Sequence, residues 1–228
     1  MVSNRFNSVL IIGMGLMGSS LARALYHYQV AKNVYGLDND EIVLKKCNDL
    51  KLIIRGESDI NNFKEQFDLI IICSPLSTYQ KVFSYLDHFV KKKTLLTDVG
   101  STKVSVIEDY MKEVQNININ FVPSHPIAGL EKSGPEHGIS NLFENRYCII
   151  TPINKDETYI HSIINFWEQI GMKIEIMEAD RHDRVLAMTS HIPQLIAFSV
   201  VTTATELESQ MKEEIIKYSA SGLRDFTR

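Results

Sequence analysis

The chain has 228 residues, 44% of them hydrophobic, enough for one large domain or one and a half ordinary ones around a real core. Its formal net charge of -4 is spread along the chain without an acidic or basic tail, which removes the electrostatic case for binding nucleic acid or an anionic membrane. Three widely spaced cysteines, Cys47, Cys73 and Cys148, show no metal-ligand pattern and read as reduced, mostly buried thiols of a cytoplasmic protein, with no metal expected.

The first predicted element is a buried strand at Val9–Ile12, apolar throughout rather than alternating. Arg5 ahead of it superficially suggests a signal peptide, but glycines interrupt the run and no small-residue cleavage site follows. A helix over Ser19–Tyr28, a strand over Asn33–Leu37 and a helix over Glu41–Leu50 come next. A third strand, Asp68–Cys73, stops at Pro75, and Thr78–Val90 has helical spacing. Lys91–Lys93 reads as a solvated loop before a strand at Thr94–Val99, and a helix follows from about Thr102 to Val114. Asn120–Pro123, Tyr147–Thr151 and Lys173–Met177 read as further strands, with a helix over Tyr159–Ile170. Strands alternating with helices predict an α/β fold, a doubly wound, mostly parallel sheet covered on both faces, over residues 1–177.

After Met177 the strand signal ends, and residues 178–228 read as a helical domain. Val185–Val201 is nearly all apolar or small, with a kink expected at Pro193. A helix this apolar must be buried on most sides, yet little chain remains to cover it. Packing against a second subunit, or against residues beyond this chain, is therefore expected. No stretch approaches the roughly 20 apolar residues that span a bilayer, so no membrane association is expected.

Gly13-Met14-Gly15-Leu16-Met17-Gly18 lies between the first strand and the first helix. Alone, this glycine spacing is a weak signal; its context is the one dinucleotide binding requires. Gly13 permits the tight turn, Gly15 lets the backbone approach a pyrophosphate, and Gly18 lets the helix sit close to the strand. Free N–H groups at the helix start then face the pyrophosphate, and Leu16 and Met17 of the motif count among the expected cofactor-binding residues. Asp38 ends the second strand 20 residues beyond Gly18, where a carboxylate can accept both ribose hydroxyls of NAD and repel the extra phosphate of NADP. NAD is the expected cofactor. Ser74 and Pro75 follow the third strand, at the carboxyl end of a parallel sheet where ligands bind.

Two further segments end strands. In Asp98-Val99-Gly100-Ser101-Thr102-Lys103, helix capping by Ser101 or Thr102 is the stronger reading, with a hydroxyl beside the nicotinamide as the alternative. Ser124-His125-Pro126-Ile127-Ala128-Gly129-Leu130-Glu131-Lys132-Ser133-Gly134 is more informative. His125 can act as a general base near neutral pH, in a loop held by Pro and Gly where the sheet presents ligands.

These motifs, with Ala179-Asp180-Arg181-His182-Asp183, Ser190-His191-Ile192-Pro193 and Gly222-Leu223-Arg224-Asp225-Phe226-Thr227-Arg228, make the chain resemble the prephenate and arogenate dehydrogenases of tyrosine biosynthesis. The resemblance spans nearly the whole chain. His-Pro-Ile-Ala-Gly and Asp-Phe-Thr-Arg are its specific parts. It implies loss of a hydride from prephenate to NAD and then of CO2, giving 4-hydroxyphenylpyruvate, or tyrosine from arogenate. His125 matches the family's catalytic base, and Ser101 the serine that orients the base and contacts substrate and nicotinamide. Arg228 matches the arginine that pairs with a substrate carboxylate, for which a planar guanidinium fork is suited. His191 and Arg224 match positions lining the substrate pocket, and Glu131 one near its entrance. Arg224 stands where some relatives have lysine. Family members usually continue past Asp-Phe-Thr-Arg with helices that complete a homodimer. The resemblance thus implies a dimerisation domain that is incomplete in a chain ending at Arg228.

Two other readings stand beside this one. Hydroxyacid dehydrogenases of the 6-phosphogluconate type share Gly-x-Gly-x-Met-Gly, but need a catalytic lysine in a glycine-rich helix, and none follows Met177. A non-catalytic dinucleotide-binding relative would bind NAD without turnover; Ser101, His125, His191 and Arg228 speak against it.

Overall fold

The structure is a computed structural model that describes residues 5–153 and 156–205. It divides into two compact units, Met1–Ala179 and Asp180–Arg228.

The first unit opens as β1 (Phe6–Ile12), α1 (Leu16–His27), β2 (Ala31–Leu37), α2 (Glu41–Asp49) and β3 (Arg55–Glu57). It continues as β4 (Leu69–Ile72), α3 (Tyr79–Phe89), β5 (Thr94–Asp98), α4 (Val104–Glu113) and β6 (Ile119–Phe121). These strands make one parallel sheet of six, ordered β3-β2-β1-β4-β5-β6. The order reverses between β1 and β4, and at such a switch point the connecting segments diverge and leave a crevice.

β1 shows why its apolar run has no gaps. Successive side chains of a strand point to opposite faces. Val9 and Ile11 pack with Leu69 and Ile71 of β4 and Leu21 and Leu25 of α1 on one face. Leu10 and Ile12 pack with Ile70 and Ile72 of β4 and Phe83 and Leu86 of α3 on the other. Each fully buried Val, Leu or Ile contributes roughly 1.5–3 kcal/mol over exposure. α2 is capped by Asp40, whose carboxylate accepts the N–H groups of Ile42 and Val43, fixing where the chain turns away from the end of β2.

The remaining elements of this unit are β7 (Ser124–Pro126), β8 (Tyr147–Ile150), α5 (Glu157–Gln169) and β9 (Lys173–Ile176). The strands expected near Tyr147 and Lys173 are present, but they belong to a second sheet of three, β7-β8-β9, and not to the large one. β7 runs antiparallel to β8, and β8 parallel to β9. β3 (Arg-Gly-Glu) and β7 (Ser-His-Pro) escape sequence reading because, unlike the equally short β6, they hold no β-branched or large apolar residue to signal a strand.

The second unit is described to residue 205, by α6 (Ala179–Leu186), which begins at the boundary, and α7 (Ile192–Thr205). Between them Ala187–His191 is a π turn. The irregularity expected at Pro193 thus lies just ahead of it: proline has no N–H to donate, and the preceding turn widens. One earlier expectation is corrected. Ala179–Thr203 forms 25 helical residues, and an 18-residue window within them has a mean hydropathy of 1.5, long and apolar enough to cross a membrane by length and composition alone. The scattered Ser, Thr and His residues interrupt the apolar run without lowering its mean hydropathy much.

Candidate functional site

The carboxyl ends of β1, β2 and β4 enclose a cleft of about 600 Å³, lined among others by Gly13, Asp38, Ser74, Pro75, Lys81 and Tyr85. It lies at the switch point. Gly13 adopts φ +92°, and a Cβ there would lie 2.6 Å from the Ser74 backbone nitrogen, so neither its conformation nor its space admits a side chain. A Cβ on Gly18 would overlap the Gly13 carbonyl oxygen, which is how closely α1 rides on the loop. A Cβ on Gly15 would meet nothing within 4 Å, so the backbone there opens on free space. Leu16 and Met17 start α1, half-buried.

Asp38 follows β2. Its Oδ2 accepts the Met14 N–H at 2.7 Å and its Oδ1 the Asp40 N–H at 3.0 Å. The carboxylate that faces the cleft is thus also bonded to the glycine loop. Ser74 accepts a hydrogen bond from the Thr78 hydroxyl at 2.8 Å. The residues present therefore fit a dinucleotide: open backbone at Gly15, a helix N-terminus, and an oriented carboxylate. Burial pushes the Cys73 thiol well up, aided by the charge of Asp98, so it holds its proton and is no nucleophile.

At the end of β5 lies a group the sequence reading left without a role. Asp98 and Lys103 are both completely buried, with Lys103 Nζ 2.6 Å from Asp98 Oδ2. The same carboxylate accepts the Gly100 N–H at 2.9 Å and the Tyr79 hydroxyl at 3.3 Å on Oδ2, and the Ser124 N–H at 3.0 Å on Oδ1. Lys103 Nζ also donates to the Ser124 carbonyl at 2.7 Å. Burial, and then the nearby Asp98 charge, raise the Tyr79 phenol well above its usual range, which keeps it a donor. Asp98 and Lys103 lie five residues apart in one segment, and only the return of Ser124 beside them brings the three together.

Ser101 and His125 adjoin this cluster through Gly100 and Ser124. Ser101 is half-buried, and the expected capping is corrected: Lys103 occupies the cap position of α4, with no side-chain cap bond. The Thr102 hydroxyl pairs instead with that of Ser105 at 2.9 Å. A second correction concerns His125, expected in a loop. It lies half-buried in the middle of β7, opposite Ile149 of β8. Strand pairing restrains its backbone more than the flanking Pro and Gly could.

The chain beyond is laid across α1. Arg23 donates to the Pro135 carbonyl at 3.0 Å, Glu136 pairs with Lys46 of α2 at 2.8 Å, and a Cβ on Gly138 would collide with the Ser19 hydroxyl. Glu131 is exposed in the stretch between. His191 ends the π turn of the second unit, half-buried. Arg224 and Arg228 lie outside the described residues.

Comparison with known proteins sets this arrangement in a family. The family described as prephenate dehydrogenase, nucleotide-binding domain, matches residues 21–176, and prephenate dehydrogenase, dimerization domain, matches residues 178–228. The cyclohexadienyl dehydrogenase of Zymomonas mobilis is 37% identical over 98% of this chain and 76% of its own length. The prephenate dehydrogenase of Bacillus subtilis is 32% identical over 97% of this chain and 60% of its own. Among solved structures, prephenate dehydrogenase from Aquifex aeolicus, in complex with hydroxyphenyl propionate and NAD+, superposes with a TM-score of 0.89 at 32% identity, covering 97% of this chain and 77% of that one.

Proposed function

The chain belongs to the prephenate dehydrogenase family and carries its NAD-binding domain, and from this we propose that it oxidatively decarboxylates prephenate to 4-hydroxyphenylpyruvate, or arogenate to tyrosine, in tyrosine biosynthesis. The observation that carries the reading is the shared anchoring of the Gly100–Ser101 and Ser124–His125 segments on Asp98, at the same carboxyl end of the parallel sheet as the glycine loop.

His125 takes the proton from the ring hydroxyl, because a hydride leaves a carbinol carbon readily only as its oxygen loses that proton. Ser101, whose hydroxyl has no hydrogen bond among the described residues, orients the substrate hydroxyl toward the imidazole. NAD, when bound, accepts the hydride. The carboxylate on the ring then departs as CO2, its bonding electrons complete an aromatic ring and pass to the ring oxygen, and the proton held by His125 returns to that oxygen, so no metal is required. Arg228 holds a substrate carboxylate, His191 and Arg224 line the pocket, and Glu131 stands near its entrance. Gly13, Gly15, Leu16, Met17, Gly18, Asp38, Ser74 and Pro75 hold the cofactor.

The protein works in the cytoplasm as a homodimer, with neither nucleic acid nor membrane as a partner. The match of residues 178–228 to a dimerization domain and the apolar surface of α7 support the dimer. NADH formation with prephenate and with arogenate tests the reading; no turnover of either, in a chain that binds NAD, removes it.

A further inference from the structure

We propose that Asp98 and Lys103 are a positioning pair, a buried ionic clamp that sets His125 against Ser101 for proton transfer; this rests on the function proposed above. The Ser124 peptide is held at both ends. Its N–H reaches Asp98 Oδ1 at 3.0 Å and its carbonyl receives Lys103 Nζ at 2.7 Å. Its side chain is held too, since the Thr97 hydroxyl donates to Ser124 Oγ at 2.9 Å. The residue directly before His125 therefore cannot rotate or slide without breaking a bond to a buried charge. On the other side, Gly100, directly before Ser101, is fixed to Asp98 Oδ2 at 2.9 Å. One carboxylate thereby sets the spacing between two segments that start in different sheets.

A buried ion pair is a poor source of net stability, because removing both ions from water offsets much of their attraction. What it supplies is direction. Its hydrogen bonds hold named partners at fixed separations, and a misplacement of about 1 Å in a reacting group can lower turnover by 10²-fold. Asp98 accepts four donors, and Lys103 serves both the carboxylate and the backbone beside His125. Apolar side chains of similar volume could fill the space, but could not hold the Ser124 peptide.

The test compares Lys103→Met with the double variant Asp98→Asn/Lys103→Met, which removes both charges. The single variant, leaving a carboxylate buried alone, should melt earlier. The double variant should regain thermal stability and bind NAD within about 3-fold of wild type. Its kcat should stay about 10²-fold down, and its His125 imidazole resonances, read by NMR with NAD bound, should broaden or shift. A double variant that turns over within 5-fold of wild type, or whose His125 resonances match wild type, overturns the proposal. So does one that does not fold, since the pair would then serve the fold itself. Should wild type prove inactive on both substrates, the functional reading fails, while the NMR comparison still decides whether the pair positions His125.

Discussion

The carboxylate of Asp38 accepts the backbone N–H of Met14 at 2.7 Å, so the residue expected to recognise the cofactor ribose also anchors the glycine loop. Its replacement acts on both. Asp38→Asn keeps an acceptor for Met14 but loses the charge that repels a 2′-phosphate. NAD affinity should fall about tenfold, and the preference for NAD over NADP should narrow. Asp38→Ala should weaken both cofactors. Titration of each dinucleotide against each variant checks this; wild type binding NADP as tightly as NAD refutes the assignment.

The glycines of the loop should separate by what surrounds them. Gly18→Ala places a methyl group against the Gly13 carbonyl and should cost about 1–3 kcal/mol of stability along with NAD binding. Gly15→Ala meets nothing and should leave the melting temperature unchanged, while its methyl group lowers NAD affinity roughly tenfold. Calorimetry paired with NAD titration reads both, and an unchanged NAD affinity in Gly15→Ala would remove this residue from the pyrophosphate.

His125→Asn keeps a polar side chain of similar size on β7 and removes the base. Turnover should fall by roughly 10²–10⁴-fold with NAD affinity intact. An imidazole protonated beforehand cannot accept the substrate proton, so wild-type activity should also decline on the acid side. If that decline persists in the Asn variant, another group is the base.

Asp68 joins the start of β1 to the start of β4. Burial alone would raise its carboxyl pKa, but hydrogen bonds from Lys92 and from the Ser8 and Asn7 backbone N–H groups hold it below the usual range. A folded pKa lower than the unfolded one, about 3.9, gives stability that is present above the unfolded value and is lost as the pH falls through the folded one. The side chain is a third exposed, so solvent screening reduces the effect. Asp68→Asn should cost about 1 kcal/mol at pH 7 and progressively less on acidification. Urea unfolding at both ends of that range decides; a difference independent of pH contradicts it.

Met188, Leu195 and Phe198 are 67%, 64% and 61% exposed in the chain alone. Sedimentation should find a dimer, and Leu195→Glu should shift it toward monomer by burying a charge in an apolar interface. A wild-type protein that stays monomeric at high concentration rules this surface out as a self-association face.

Much of this protein follows from local sequence. The buried strand at Val9–Ile12, the glycines after it, the helix they open and the acid at Asp38 lie within one short stretch, and periodicity and spacing express them directly. The alternation that predicts a parallel sheet is local in the same sense, and so is the apolar length of the last described helix. What only the tertiary structure decided are relations between distant segments. His125 sits on a strand because β8, more than twenty residues later, pairs with it, and three residues carry no pattern that foretells such a partner. Asp98 and Lys103 look like an ordinary strand end and helix start until Ser124 comes back beside them, since a hydrogen bond to a backbone group leaves no trace in the identity of the residue that supplies it.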